Sequence, residues 1–221
     1  MAPAPLHLRL VVRPPAGPDD SPVSGSLGGL EALDDAKLVA LASKGELSAF
    51  ETLYRRYAAF AINLAVRIQG SGRDVEDIVH DAFLRAHDRL AELRDRQAFK
   101  GWLGAIVVSL IRSRLRKRRL MGLVGLGQNE PVDLESIAAE TASPEARAQL
   151  AQVYALLQTM PADDRIAWTL RYVDQHRLEG VAELTGCSLA TVKRRISRAQ
   201  RFLKDYFVPA FAGDPAAGGL A

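Results

Sequence analysis

The sequence predicts an all-α protein: two small helical domains joined by a flexible linker, the C-terminal one a helix-turn-helix. Three observations predict it. Apolar residues recur every three to four positions from Asp34 to about Leu120, and again from about Glu145 to Phe207. Between these stretches, residues 121–144 lose the stripe and are punctuated by Gly122, Gly125, Gly127, Pro131 and Pro144. Near the C-terminus, Ala182, Gly186 and Val192 have the spacing of two short helices crossing at a tight turn.

Residues 1–32, rich in Pro, Gly and Ser, read as a disordered lead. The alternation of Leu6, Leu8, Leu10 and Val12 would make a strand only against a partner. A helical bundle is expected over 33–120. Asp34 can cap a first short helix that Gly45 ends, and Ser48 with Glu51 has capping-box spacing. Phe50, Leu53, Tyr54, Tyr57, Phe60, Ala61, Leu64 and Ile68 then form one apolar stripe, stopped by Gly70 and Gly72. Asp74 can cap the next helix, striped by Val75, Ile78, Val79, Ala82, Phe83, Ala86 and Leu90. The last helix of the bundle carries Phe99, Trp102, Leu103, Ile106, Val107, Leu110 and Leu115.

The second domain is expected over 145–207. One helix is striped by Leu150, Val153, Tyr154 and Leu157 and stops before Pro161. Another is striped by Ile166, Ala167, Leu170 and Val173. Two more follow, with Gly186 supplying the left-handed turn between them, Cys187 filling a small apolar site and Ser188 capping the second. Val192 and Ile196 face inward, and residues 208–221 read as a disordered tail.

The single cysteine allows neither an intramolecular disulfide nor a cysteine-based zinc site. No apolar run approaches the roughly 18 residues of a spanning helix, and the N-terminal segment lacks the basic-then-apolar order of a signal peptide. A cytoplasmic protein without membrane insertion is expected. Chemistry finds no foothold: His7, His80, His87 and His176 are scattered, Asp163 and Asp164 are adjacent and point apart, and no P-loop is present. The expectation is a non-enzyme with no cofactor, metal or small-molecule substrate.

Function is written instead in how charge is distributed. The net charge is only +3, yet residues 188–204 (SLATVKRRISRAQRFLK) hold six cations and no acid. A solvated helix face usually mixes signs; this one suits phosphate. Ser188, Thr191, Lys193 and Arg194 lie nearest the start of the helix, the end that reaches base edges in the major groove. Arg198, Arg201 and Lys204 lie farther along, as a phosphate rail.

A second cluster, IRSRLRKRR at 111–119, has six cations where complementing a helix dipole needs one or two. It reads as a further nucleic-acid surface. Upstream of it, Phe99 and Trp102 are at core spacing, although an exposed aromatic there could stack on an unpaired base. Asp74, Glu76, Asp77, Asp81 and Asp88 make the helix before it acidic. That is either a plain solvated face or one suited to a basic protein partner.

Three stretches in this order resemble the extracytoplasmic-function (ECF) sigma factors of the sigma-70 family. DVEDIVHDAFLRAHDRL (74–90) resembles their polymerase-binding helix. FKGWLGAIVVSLIRSRLRKRR (99–119) resembles the helix that handles the melted −10 element. LLQTMPADDRIAWTLRYVDQHRLEGVAELTGCSLATVKRRISRAQRFL (156–203) resembles the domain that binds the −35 element. The resemblance implies a promoter-specificity subunit whose partners are core RNA polymerase, promoter DNA and an anti-sigma factor. It implies polymerase contacts at Asp77, Ile78, His80, Asp81 and Phe83, with His80 in place of the usual glutamine. On the −10 strand it implies Trp102, Ser109, Arg112, Arg116 and Lys117. Ser109 and Ser113 stand where the family often has an asparagine and then an aspartate. On the −35 element it implies Ser188, Thr191, Lys193, Arg194, Arg195, Arg198 and Arg201. The alternative is a stand-alone helix-turn-helix regulator, which needs neither the acidic helix nor the second basic cluster.

Overall fold

A computed structural model describes residues 28–123, 132–133, 137–138 and 142–211. The rest of the lead, most of the linker and the tail from 212 onward lie outside the described residues. The helices are α1 (Gly28–Glu31), α2 (Asp35–Ala42), α3 (Leu47–Gln69), α4 (Val75–Asp88), α5 (Phe99–Leu123), α6 (Pro144–Thr159), α7 (Ala162–Tyr172), α8 (Leu178–Thr185) and α9 (Leu189–Phe211). Two short 3₁₀ turns, Leu90–Glu92 and Arg96–Ala98, join α4 to α5. Helix reaches into both expected tails, since α1 falls within 1–32 and α9 continues to Phe211.

Side-chain caps start α2 and α6. Asp34 Oδ1 accepts from the Lys37 amide at 2.9 Å, and Ser143 Oγ accepts from the Ala146 amide at 3.2 Å ahead of Pro144 at the first position of α6. Two expected caps are made differently. α3 begins at Leu47, one residue before the expected capping box, and Ser48 Oγ donates to Glu46 Oε1 at 2.6 Å, so the hydroxyl is engaged by a carboxylate rather than an amide. Asp74 stands at the N-cap of α4 with φ of 56°, but its carboxylate meets Arg118 Nη2 at 3.1 Å instead of capping.

The first domain packs α3, α4 and α5 against one another, with α2 laid on α3. The α4 stripe expected from periodicity is buried whole: Val75, Ile78, Val79, Ala82, Phe83 and Ala86, followed by Leu90. Phe99 is fully buried between the Tyr57 ring (5.5 Å) and Trp102 (6.1 Å), which fixes the start of α5. In the second domain α7 and α8 pack on α9, with Ile166, Val181 and Val192 fully buried.

The two domains are in contact. α5 packs on α7 and α8, and α3 on α7. Gly70 ends α3 at φ of 69°, and a Cβ there would lie 2.5 Å from Cδ1 of the Tyr154 ring, so both backbone and space exclude a side chain. The linker touches this junction. The Asp133 amide donates to the Gly70 carbonyl at 3.1 Å, and Ile137 and Ala138 are buried.

Candidate nucleic-acid and partner surfaces

The turn between α8 and α9 is built as its sequence implies. Gly186 has φ of 64°, and the Cys187 amide returns to the Ala182 carbonyl at 3.2 Å, closing the C-terminus of α8. Ser188 Oγ accepts from the Thr191 amide at 3.3 Å and opens α9. Ala182 is half-buried rather than enclosed at the crossing. Cys187 has polar company: Thr185 Oγ1 at 3.1 Å and Arg195 Nη1 at 3.3 Å.

α9 therefore presents two faces. Val192, Ile196, Ala199 and Leu203 hold it to the domain. Ser188, Lys193, Arg194, Ser197, Arg201 and Lys204 are exposed, and Thr191 is half-buried beside Ser188. Two arginines of the basic run are engaged within the protein. Arg195 turns back toward Asp163, with Nη2 3.5 Å from Oδ1. Arg198 grips Asp164 with two bonds, Nε to Oδ2 at 3.0 Å and Nη2 to Oδ1 at 2.6 Å. The Asp164 side chain is 6% exposed, so Arg198 neutralises a buried carboxylate before it meets any phosphate.

Arg198→Ala should accordingly cost about 1–2 kcal/mol of stability, the lower part of the range for a charged hydrogen bond because Arg198 itself is half-exposed. It should leave the salt dependence of DNA binding nearly unchanged. Urea unfolding and a salt titration separate this from a phosphate contact, whose loss would lower the slope by about 0.9 with no change in stability.

The second basic cluster is also shared out. On α5, Arg114 Nη2 reaches Asp81 at 3.4 Å and Arg118 reaches Asp74 at 3.1 Å, so the acidic helix α4 neutralises part of its own neighbour. Arg112 and Arg116 cross to the other domain. Arg116 Nη2 donates to Asp163 Oδ2 at 2.7 Å, and Arg112 Nε lies 3.0 Å from Asp163 Oδ1 as an ion pair without hydrogen-bond alignment. Arg112 Nη2 also donates to the Thr185 carbonyl at 2.9 Å. Burial alone would raise the Asp163 carboxyl; the Arg116 hydrogen bond and the charges of Arg195, Arg116 and Arg112 outweigh it and hold the group below the ordinary carboxylate range. Ser109, Lys117 and Arg119 are exposed on α5, and Trp102 is half-buried against Phe99.

The residues tied to a protein partner divide in the same way. Asp77 and His80 are exposed and Asp81 half-buried on the outer face of α4. Ile78 is fully buried, and Phe83 packs under it against the rings of Phe50 (6.3 Å) and Tyr54 (4.6 Å). These two carry the α4 face rather than forming it. Sequence reasoning missed Leu84 and overlooked the exposure of Tyr54; the two are 52% and 43% exposed. Leu84 was detectable as an apolar residue standing outside the buried stripe of α4. Among the described residues no three metal-binding side chains cluster, and no helix is long and apolar enough to cross a membrane.

A helix-turn-helix with an exposed basic face, a second basic helix, and a separate acidic helix with apolar residues beside it define a two-domain nucleic-acid-binding protein with a place for a protein partner. The comparisons with known proteins narrow this. Residues 53–120 match the Sigma-70 region 2 model and residues 150–203 the Sigma-70, region 4 model. The ECF RNA polymerase sigma-E factor of Escherichia coli K12 is 32% identical over 194 residues, covering 81% of this chain and 97% of that protein. The sigma-E factor of Salmonella typhimurium LT2 is 31% identical over the same shares.

Among solved structures, CnrH in complex with the cytosolic domain of CnrY aligns with a TM-score of 0.53 at 25% identity, covering 79% of this chain and 97% of that one. The sigma factor RpoE in complex with the anti-sigma factor NepR from Bartonella quintana shares the fold, with a TM-score of 0.54 at 23% identity over 71% of this chain and 94% of that one. The chain belongs to the ECF sigma factors of the sigma-70 family, and as a sigma factor it directs transcription initiation. The stand-alone regulator is not favoured.

Proposed function

We propose a division of labour among the surfaces just described. The outer face of α4, with Asp77, His80 and Asp81 and the neighbouring Leu84 and Tyr54, docks on core RNA polymerase. The start of α9 reads the −35 element: Ser188, Thr191, Lys193 and Arg194 face base edges, and Arg201 lies along the phosphates. α5 handles the −10 strand through Trp102, Ser109, Arg112, Arg116 and Lys117, with captured unstacked bases offsetting the cost of melting.

The observation that carries this reading is the placement of one acidic and two basic helix faces on two domains that match regions 2 and 4 in order. His80 replaces an amide by another hydrogen-bonding tip at an exposed position, and Ser109 is exposed where a longer polar side chain is common. An anti-sigma factor is the regulator expected by analogy with the NepR complex of RpoE.

Asp77→Ala tests the division. It should weaken binding to core polymerase by about tenfold, roughly 1.4 kcal/mol, while duplex binding by the chain alone stays unchanged. Core affinity by fluorescence anisotropy and DNA affinity by gel shift give the two readouts. Equal losses in both would contradict separate surfaces.

A further inference from the structure

We infer, on the placement of α9 against DNA proposed above, that Asp164 attenuates promoter binding by withholding Arg198 from the phosphates of the −35 element. Beyond its base-reading start, α9 carries three cations in its basic run: Arg198, Arg201 and Lys204. Arg201 and Lys204 are exposed. Arg198 instead gives two bonds to Asp164, Nε to Oδ2 at 3.0 Å and Nη2 to Oδ1 at 2.6 Å. The two partners are unequally placed. The Asp164 side chain is nearly enclosed, and an ionised carboxylate out of water needs a cation. The Arg198 side chain is 52% exposed and has water within reach on its other side. The pair is therefore held together by the need of Asp164, not of Arg198.

A plainer role exists for an acid at this position. Asp164 lies in the first turn of α7, whose N-cap, Pro161, has no side-chain cap, and a helix N-terminus favours negative charge. That explains an acid in the turn, which Asp163 also supplies. It does not explain why Asp164 is buried beneath α9, or why it takes Arg198 with both oxygens. The pair is built wholly inside the stretch that matches region 4.

The consequence for DNA follows from charge. A cation that neutralises a phosphate releases counterions and adds about 0.9 to the slope of log affinity against log salt. Asp164 and Arg198 together are neutral. Arg198 keeps donors on Nη1 that Asp164 does not use, but as a unit the pair brings a phosphate no net charge. The loss is the same for every sequence, because phosphate contacts carry no sequence information. Base reading by Ser188, Thr191, Lys193 and Arg194 then works with less sequence-blind affinity beside it. Asp164 acts through Arg198 and is a positioning residue, not a DNA contact.

The test is a double-mutant cycle on the full chain: native, Asp164→Asn, Arg198→Ala and both together. Anisotropy with a labelled random-sequence duplex is followed from about 50 to 200 mM salt, and urea unfolding establishes that each variant is folded in the assay. Asp164→Ser, smaller and also uncharged, carries the same prediction where the asparagine variant does not fold. Removing the Asp164 charge should tighten binding and steepen the salt slope by about 0.9, so that the gain is about threefold larger at the low-salt end than at the high-salt end. In the Arg198→Ala background the same substitution should change neither quantity. Equal gains in both backgrounds would overturn the inference, since Asp164 would then act by its field alone. No gain in the native background would overturn it as well, and so would a loss, which would mean that Asp164 holds Arg198 in place for a phosphate. Arg201→Ala, measured alongside, should flatten the slope by about 0.9. A null cycle with that response sinks the role of Asp164 alone; no response to Arg201→Ala contradicts the placement of α9 on DNA.

Discussion

Phe83→Ala is expected to lower the unfolding free energy by about 3–5 kcal/mol and to abolish binding to core polymerase at 37 °C. Phe83 is 3% exposed and packs against the rings of Phe50 and Tyr54, tying α4 to α3. Its removal leaves a cavity beneath the face that carries Asp77 and His80. The resemblance to sigma factors marks this phenylalanine as a partner contact; its burial makes it a support instead. Phe83→Leu distinguishes the two roles. It restores most of the volume, should cost about 1 kcal/mol, and should hold core affinity within about threefold. A leucine variant that is stable but fails to bind polymerase would mean that the ring itself reaches the partner. Chemical denaturation and core-binding anisotropy on the two variants decide the matter.

Arg194→Ala is expected to reduce discrimination among −35 sequences by about 1–3 kcal/mol, the contribution of a good bidentate base contact. Arg194 is exposed six residues after Ser188, unlike Arg195 and Arg198, which turn to Asp163 and Asp164 of α7. Affinities for a panel of duplexes varied within the −35 element provide the test. A loss confined to particular sequences supports base reading. A uniform loss across the panel would make Arg194 a phosphate contact.

The helix-turn-helix was legible in the sequence because each of its determinants is local. Gly186 takes the positive φ, Ser188 caps α9, and Val192 and Ile196 are inward at helical spacing. The burial pattern of α4 was legible for the same reason, since one apolar stripe at a 3.6-residue period defines a buried face. Determinants that act over long sequence separations were not. The acidic helix and the basic end of α5 read as two independent charged surfaces, yet Arg114 and Arg118 meet Asp81 and Asp74 across the bundle. Asp163 and Asp164 read as an idle pair; they hold arginines 47 and 34 residues away. Arg198 shows why charge alone does not locate a phosphate rail: its partner lies on α7, outside the window in which periodicity speaks. The capping box at Ser48 failed for a smaller reason: α3 already begins at Leu47, so Ser48 lies inside the helix rather than at its N-cap.

Run-off transcription with purified core polymerase, this chain and a promoter library tests the central claim most directly. The account predicts discrete products from a subset of templates sharing −35 and −10 sequences, reduced at limiting factor concentration when Asp77→Ala weakens core binding and broadened when Arg194→Ala relaxes −35 choice. No promoter-dependent product, together with no binding to core polymerase, would contradict it.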